Sequence, residues 1–512
     1  MQGVRNHYLS ITLLAVLGWH IDAQAQYVNR QVPRLVVNIT IDQLRNDYLE
    51  SFAASYGDNG FKKLLSKGIV YENASYPFVN PDQASAISTI VTGTTPFYHG
   101  IIGKQWIDRG SLRPVSCTDD THQIGIPSPA QLAVSCLGDE LKVTTNGDAK
   151  IFAIAPFQDM AILSAGHAAD GAVWINERTG LWITSQYYSS TTPKWLLIYN
   201  ELNITQKRNK KIEWRPIIDK EKPDFKHSLK TNRKYQEYQT SGLINADITA
   251  LALACVDEQE MGTDSITDLL CLSYYAGPFD HKPVTECQKE LKDTYIRLDQ
   301  SIDSLITALE NKLGKEQVLF CITSTGYSDP ESTDYSKYRI PTGTFYINRA
   351  ANLLNMYFGA LWGQGRYVDT CYDDQLYLNH KLLESKRISL ADASQRAQEF
   401  ILQMSGVKNV FTAQQLLNSY EGLFSKVRNS FHSQHSGDIL IEVASGWHLQ
   451  NEDTNDDRLS QAAVPAFPII FYGVGIPAGH VQIPVTTDRI APTIAKSIRI
   501  RAPNACTAEP LF

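Results

Sequence analysis

Five short stretches of the chain are continuously apolar and rich in Val, Ile, Leu and Phe. Their apolar positions do not alternate with polar ones, so each stretch predicts a β-strand that is covered on both faces, as in a parallel sheet. These stretches are residues 34–41, 151–155, 269–273, 318–322 and 467–472.

Helical spacing of apolar residues appears between these runs. Residues 60–67 form one such stretch, and residues 287–309 form a longer one in which Leu291, Leu298 and Leu305 recur on one face. Strands that alternate with helices predict an α/β fold, with a central, mostly parallel sheet and helices on both of its faces.

The predicted sheet also indicates where chemistry belongs. Ligands of open α/β sheets bind at the carboxyl ends of the strands. Asp42 ends the first predicted strand, and polar loops follow Ser273 and Thr323 at the ends of two others. We expect these three places to converge.

The N-terminal residues have the pattern of an export signal. An apolar run follows Arg5, and Ala23-Gln24-Ala25 has the small-x-small pattern of a signal-peptidase site. The sequence therefore predicts a cleavable signal peptide over residues 1–25 and a mature domain over residues 26–512; the alternative is a buried N-terminal helix. No later run approaches about 18 apolar residues. The expected protein is periplasmic or secreted, without a membrane span.

Charge and cysteine content narrow the classes of partner. The 512 residues contain 47 Lys and Arg against 54 Asp and Glu, a net charge of -7, which argues against a nucleic-acid partner. The eight cysteines permit disulfides in an oxidising compartment, although their pairing cannot be deduced from sequence. Cys117 and Cys136, which flank a polar loop, form the preferred bridge.

Several segments, in a consistent order, resemble the alkaline phosphatase superfamily, and within it the type I phosphodiesterase/nucleotide pyrophosphatase-like branch. The resemblance is closest to bacterial alkaline phosphatases with a threonine nucleophile. It extends from about residue 34 to the C-terminus and implies an alkaline-phosphatase-like α/β domain with an inserted cap, here roughly at residues 105–250 and 330–440. The segments are IDQLRNDYL (41–49), TGTTPFYHGIIGKQW (92–106), AILSAGHAADGAVWI (161–175), KDTYIRLDQSI (292–302), IPTGTFYIN (340–348) and TTDRIAPTIA (486–495).

The resemblance implies a two-zinc mechanism with a defined set of residues. Two zinc ions bind the phosphoryl group, activate a Thr or Ser nucleophile and stabilise the leaving oxygen. Asp42 fits the ligand position after the first strand. Gln83, however, occupies the nucleophile position, and an amide is neither a nucleophile nor a good zinc ligand.

Other family positions are also altered. His281 fits the His of the family's D-x-x-x-H pair, but Gly277 replaces its Asp, and Ser324 and Thr325 replace the adjacent Asp-His pair. Residues 455–467 contain no late His. The substrate contacts change as well: Lys104 replaces an Asn, and a Lys and an Arg are replaced by Phe157 and Asp159.

These losses lead to the hypothesis of a catalytically inactive pseudoenzyme of the superfamily. It has no catalytic residues and no expected cofactor, and it binds or scaffolds a protein partner in the bacterial cell envelope. Asp42 and His281 are vestigial metal positions. The preferred interpretations of the side chains themselves are that Asp42 is the N-cap of a following helix and that His281 is an ordinary loop residue.

The main alternative is an active, zinc-dependent phosphatase or phosphodiesterase with a rearranged ligand set, for which the candidates are Asp42, Asp82, Ser85, Asp280 and His281. A third possibility is a lectin-like or nucleotide-binding module that uses the same cleft without metal. His432 and His435, three residues apart, could bind a metal on a helix, but a solvated loop is the preferred interpretation.

Overall fold

The computed structural model describes most of the chain beyond its first thirty residues. The predicted signal peptide, residues 1–25, lies outside the described part. The described ranges are residues 31–202, 212–218, 223–230, 232–329, 331, 335–418, 422–461 and 464–512.

Strands and helices alternate through the described ranges. In chain order the strands are β1 (Leu35–Asp42), β2 (Ile69–Ser75), β3 (Gln105–Asp108), β4 (Arg113–Ser116), β5 (Ile151–Ala155), β6 (Gly171–Ile175), β7 (Trp182–Thr184), β8 (Ile212–Trp214), β9 (His227–Leu229), β10 (Asp268–Tyr275), β11 (Val318–Ser324), β12 (Thr344–Tyr346), β13 (Val368–Tyr372), β14 (Gln375–Leu378), β15 (Val407–Thr412), β16 (Ile439–Val443), β17 (His448–Asn451), β18 (Asp456–Leu459), β19 (Phe467–Gly473), β20 (Gly479–Val481) and β21 (Val485–Thr486). The α-helices are α1 (Asn46–Ser51), α2 (Phe61–Lys67), α3 (Gln83–Thr92), α4 (Pro96–His99), α5 (Leu137–Thr144), α6 (Gln158–Ala165), α7 (Lys194–Leu202), α8 (Lys234–Gln239), α9 (Leu243–Glu258), α10 (Gln288–Leu313), α11 (Ile347–Trp362), α12 (His380–Ser385), α13 (Leu390–Ile401), α14 (Ala413–Asn418), α15 (Gly422–Ser430) and α16 (Ile490–Ser497).

All five predicted strands are confirmed, and they belong to one central sheet. Its strand order is β20-β2-β19-β11-β1-β10-β5-β6-β7, with β21 also paired to β2. The pairs around β1 are parallel, whereas β19 and β7 run antiparallel to their neighbours. The predicted helices are confirmed as α2 and α10. The sheet is therefore mostly parallel, as predicted.

Helices cover both faces of this sheet. Side chains of a strand alternate between faces, and the odd-numbered residues of β1, such as Val37 and Ile39, pack with α9 and α10. On the other face, Val36 packs with α3, α6 and α16. Every residue of β1 is buried, which explains its continuous apolar run. Asp42 has the parity of Val36 and therefore shares the face that α3 covers.

The carboxyl ends of three strands meet around Asp42. β1 lies between β10 and β11, and Asp42 aligns with Tyr275 of β10 while Ile41 aligns with Ser324 of β11. The backbone N–H of Ala276 donates to the carbonyl of Asp42 at 2.9 Å. The predicted convergence of these strand ends is confirmed, and it defines the place of the candidate site.

Smaller sheets lie in and beyond the ranges expected for the cap. A four-stranded sheet of order β13-β14-β16-β15 and a three-stranded sheet of order β12-β17-β18 form the later part. The hairpins β3-β4 and β8-β9 lie within residues 105–250. The same range also contains β5 and β6, but these two strands belong to the central sheet because β5 pairs with β10.

The expected Cys117–Cys136 bridge is wrong. All eight cysteines are free thiols, and both of these are fully buried. Cys136 is the N-cap residue of α5, and its Sγ lies 3.8 Å from the carbonyl oxygen of Ala165. Burial raises the pKa of the Cys117 thiol, and the nearby charges of Asp159 and Asp82 raise it further. None of the helices within the described ranges is long and apolar enough to cross a bilayer.

His432 and His435 lie in a loop, as expected, but their rings are packed and only partly solvated. Their ring centroids are 4.4 Å apart, and His435 stacks on Trp106 at 4.5 Å. His99 is fully buried nearby and hydrogen-bonds to Thr89 Oγ1 at 3.1 Å. Burial, followed by the charge of a neighbouring imidazole, lowers the pKa of His99 to about 3 and that of His432 to about 4.

Because these imidazoles have lowered pKa values in the folded protein, we expect the free energy of unfolding to fall in acid. An unfolded histidine titrates near pH 6.5, so below that pH the unfolded chain binds more protons than the folded one, and stability falls as the pH drops toward the folded pKa. Between about pH 7 and about pH 4.5, the loss of unfolding free energy should be about 1–2 kcal/mol smaller in His432→Gln than in the unchanged protein. Urea unfolding at both pH values measures this, and equal losses would contradict the prediction.

Candidate active site

Asp42 is the buried centre of the candidate site. It is 0% exposed, and both of its carboxylate oxygens accept hydrogen bonds. Gln83 Nε2 donates to Oδ2 at 2.7 Å, and Thr325 Oγ1 donates to Oδ1 at 2.8 Å. Burial raises the pKa of Asp42 to about 6, although these two donors and the charge of Lys104 act in the opposite direction. The carboxyl group therefore titrates close to neutral pH.

Asp42 does not cap a helix, so that interpretation is wrong. Helix α1 begins only at Asn46, and its N-cap residue is Arg45. Between them, Gln43 adopts a left-handed conformation with φ 63, which turns the chain before any helix begins. The side chain of Asp42 is thus available to α3 and to the loop after β11.

Asp82 and Ser85, two candidates of the rearranged set, have local structural roles. They form a capping box at the start of α3: Asp82 Oδ1 accepts from the Ser85 N–H at 2.8 Å, and Ser85 Oγ accepts from the Asp82 N–H at 3.1 Å. This arrangement satisfies helix N–H groups that have no partner within the helix. It also fixes Gln83, the first residue of α3, against Asp42.

His281 pairs with an aspartate that sequence reasoning missed. Asp329 Oδ2 accepts a hydrogen bond from His281 Nδ1 at 2.9 Å. Burial opposes the positive charge of His281, but the hydrogen bond and the charge of Asp329 outweigh it and raise the pKa of the imidazole. Gln43 Nε2 and the Tyr327 hydroxyl also donate to Asp329, both at 3.0 Å. The one signal in the sequence was an acidic residue in the loop that follows β11.

Asp280, the neighbour of His281, is bound elsewhere. It adopts a left-handed conformation with φ 51, and its Oδ1 accepts from Arg233 Nη2 at 3.1 Å. Of the five candidates for a rearranged ligand set, Asp42 and His281 lie near one another. Asp82 lies beside Lys104, whose backbone N–H donates to its Oδ2 at 2.7 Å.

Lys104 supplies a second positive group beside Asp42. Its side chain is 47% exposed, its Nζ lies 4.0 Å from Asp159 Oδ2, and it lies 5.6 Å above the ring of Phe157. Its charge lowers the pKa of Asp42 and also that of His281, so the three groups lie near one another. His281 is 46% exposed. Two partly exposed basic side chains thus lie near one buried carboxyl group.

The residues present do not fit the zinc pair that the resemblance implies. Zinc in proteins is held by carboxylate, imidazole and thiolate groups. Across the described ranges, no three His, Cys, Asp or Glu side chains form a group that could hold a metal ion. At the position of the family's adjacent Asp-His pair, Ser324 Oγ donates to the carbonyl of Leu44 at 2.9 Å and Thr325 donates to Asp42.

Whole-chain comparisons show what the protein is similar to. It is 26% identical to the alkaline phosphatase PafA of Elizabethkingia meningoseptica, over 94% of this chain and 94% of that protein. It is also 26% identical to the alkaline phosphatase PhoV of Synechococcus elongatus, over 92% and 91% of the two chains. A crystal structure of wild-type PafA superposes with a TM-score of 0.78 at 26% identity, and covers 94% of this chain and 98% of that one.

These comparisons overturn the hypothesis of an inactive pseudoenzyme with a scaffolding role, which is wrong. Relatives that match almost the whole chain are alkaline phosphatases by name. The similarity extends to the solved fold of one of them. It therefore favours the alternative of an active phosphoric ester hydrolase with a rearranged set of residues.

The predicted superfamily is confirmed independently by a family model. The model described as type I phosphodiesterase / nucleotide pyrophosphatase matches residues 36–464. This range begins within β1 and includes Asp42, Gln83, His281 and Asp329. The chain therefore belongs to the type I phosphodiesterase / nucleotide pyrophosphatase family of the alkaline phosphatase superfamily.

Proposed function

We propose that this protein hydrolyses phosphoric esters in the cleft at the carboxyl end of β1. The observation that carries the proposal is the pair of partly exposed basic side chains, Lys104 and His281, near the buried carboxyl group of Asp42. An anionic ester needs positive groups that bind its oxygens and a group that moves a proton. Family membership and the similarity to named alkaline phosphatases support the same activity.

His281 has the geometry of a proton-transfer group. Asp329 binds its Nδ1 at 2.9 Å, which holds the ring in one orientation, as the carboxylate does in other catalytic pairs. Its Nε2 has no hydrogen bond to any residue in the described ranges. In this proposal water attacks phosphorus as the bond to the leaving oxygen breaks, and Nε2 donates a proton to that oxygen. The proton that the attacking water loses then restores Nε2.

In this proposal Lys104 binds the phosphoryl oxygens, and the nearby carboxylate of Asp159 disfavours esters of high negative charge. The carboxylate of Asp159 is 4.0 Å from Nζ and repels an approaching anion. A doubly charged monoester meets more of this repulsion than a singly charged diester. We therefore expect diesters to be hydrolysed with the higher kcat/KM.

The test is hydrolysis of an aryl phosphate monoester and an aryl phosphate diester by the purified protein. Lys104→Ala should lower kcat/KM by about 10–100-fold, because a charge-assisted contact to the phosphoryl group is lost. Lys67, an exposed lysine at the end of α2, provides the matched control: Lys67→Ala should leave kcat/KM unchanged. Lack of hydrolysis of both esters by the unchanged protein would refute the proposal.

Export and a partner in the cell envelope remain predictions of their own. N-terminal sequencing of the protein from its native cells should find a mature chain that begins at Gln26. A stable partner should be recovered with the protein from an envelope extract, and its absence would remove that expectation.

A further inference from the structure

Asp42, the first metal position of the family, already has both of its oxygens hydrogen-bonded within the protein. The amide of Gln83 and the hydroxyl of Thr325 direct N–H and O–H hydrogens at them from 2.7 and 2.8 Å. Such hydrogens carry partial positive charge and satisfy the carboxylate. Because Asp42 is 0% exposed, solvent cannot bring an ion to it without displacing these side chains.

Gln43 occupies the space at the second family position. A Cβ added at Gly277 would lie 2.7 Å from the amide carbon and nitrogen of Gln43, and 2.6 Å from the hydroxyl of Tyr275. The amide of Gln43 is held on both sides by Asp329, whose Oδ2 accepts from Nε2 at 3.0 Å and whose N–H donates to Oε1 at 2.9 Å. An aspartate at residue 277 is therefore excluded unless both this amide and the hydroxyl of Tyr275 move.

Ser324 and His281, at two further family positions, also have hydrogen-bond partners within the protein. The hydroxyl of Ser324 donates to the carbonyl of Leu44 at 2.9 Å and accepts from the N–H of Gly326 at 3.1 Å. The remaining imidazole and carboxylate, His281 and Asp329, bind one another. The donor set that zinc requires is thus replaced at several places by amides and hydroxyls that hydrogen-bond to carboxylates and to the backbone.

We infer that the side-chain amides of Gln83 and Gln43 serve in this chain where the family uses its two zinc ions, so that the site does not hold a zinc pair. Neutral dipoles fixed by the fold stabilise the buried carboxyl group of Asp42, and the accessible positive charge of the cleft comes from Lys104 and His281. This inference stands apart from the hydrolysis proposed above, since it concerns metal content and not turnover.

Metal content tests it directly. The full-length mature protein is incubated with a small excess of zinc, desalted and analysed for metal, beside Asp42→Asn and the exposed control Asp58→Asn. We expect less than about 0.1 zinc ion per chain in all three. Stoichiometric zinc that Asp42→Asn loses and Asp58→Asn keeps would overturn the inference. Zinc that both variants retain would lie outside this site and agree with it.

A converted site provides the second test. Gln43→Ala and Tyr275→Phe make room for Gly277→Asp, and Gln83→Thr, Ser324→Asp and Thr325→His restore the nucleophile and the adjacent Asp-His pair of the family. Circular dichroism first checks that the variant is folded. We expect it to gain about one to two zinc ions per chain, and cobalt in their place should show the absorption of tetrahedral coordination. A folded variant as poor in zinc as the unchanged protein would contradict the assignment of these side chains.

Discussion

Replacing His281 with glutamine should lower kcat/KM for phosphoric ester hydrolysis by about 100–10,000-fold. Glutamine is polar and can still fill the space near Asp329, but it cannot donate a proton to the leaving oxygen. The expected loss is larger than that for Lys104→Ala because His281 is oriented by Asp329 to move a proton, whereas Lys104 contributes a charge-assisted contact. Steady-state kinetics with the better aryl ester substrate measures the effect.

His448 offers a closely matched control. Like His281 it is 46% exposed, and like His281 it has an aspartate at Nδ1, in this case Asp457 at 2.8 Å. It lies on β17, in the three-stranded sheet, and has no place in the proposed chemistry. His448→Gln should therefore keep full activity. If the two variants retained equal activity, His281 would have no role in proton transfer.

Asp438→Ala should lower the free energy of unfolding by about 2–4 kcal/mol. Asp438 is 3% exposed and precedes β16. It accepts from Arg109 Nη1 at 3.1 Å, from His380 Nε2 at 2.9 Å and from the N–H of Leu378 at 2.8 Å. The variant leaves a guanidinium group and a buried N–H without their acceptor. Because Arg109 is 29% exposed, water offsets part of the loss.

This aspartate joins the β3-β4 hairpin to the four-stranded sheet, since Arg109 follows β3. Urea unfolding monitored by tryptophan fluorescence measures the change. Asp58, which is 96% exposed, is the control, and Asp58→Ala should stay within about 0.5 kcal/mol of the unchanged protein. A loss below about 1 kcal/mol in Asp438→Ala would show that the junction is held by other contacts.

The central sheet could be predicted because its strands are buried on both faces. Burial on both sides allows no polar alternation, so β1 and β11 stand out as unbroken apolar runs. The convergence at Asp42 followed from the rule that parallel strands end at one edge of a sheet. Short strands of the smaller sheets, such as β8 and β9, carry no comparable run and had no local signal.

The partners of the site residues could not be predicted from the sequence. Asp329 binds His281 from 48 residues away and Gln43 from 286 residues away, and no local pattern connects such positions. Comparison with family motifs, position by position, showed only which family residues are replaced in this chain. It therefore favoured inactivity and overlooked Asp329, which is not a family position in those motifs.

Local patterns also misled where backbone geometry decided the outcome. Asp42 before Gln43-Leu44-Arg45 looks like a helix N-cap, but the left-handed Gln43 delays the helix to Asn46. Cys117 and Cys136 flank one polar loop, yet each thiol is buried among other residues. In both cases the packing of distant elements overrode the local preference.

The sequence alone determined the α/β sheet, the helices on its two faces and the edge at which Asp42 ends β1. It could do so because the apolar pattern of each segment indicates how that segment is buried. Only the tertiary structure decided that Gln83 and Thr325 satisfy Asp42, that Gln43 occupies the space beside Gly277, and that Asp329 orients His281. Those contacts depend on side chains from separate strands and loops that meet only when the sheet has formed.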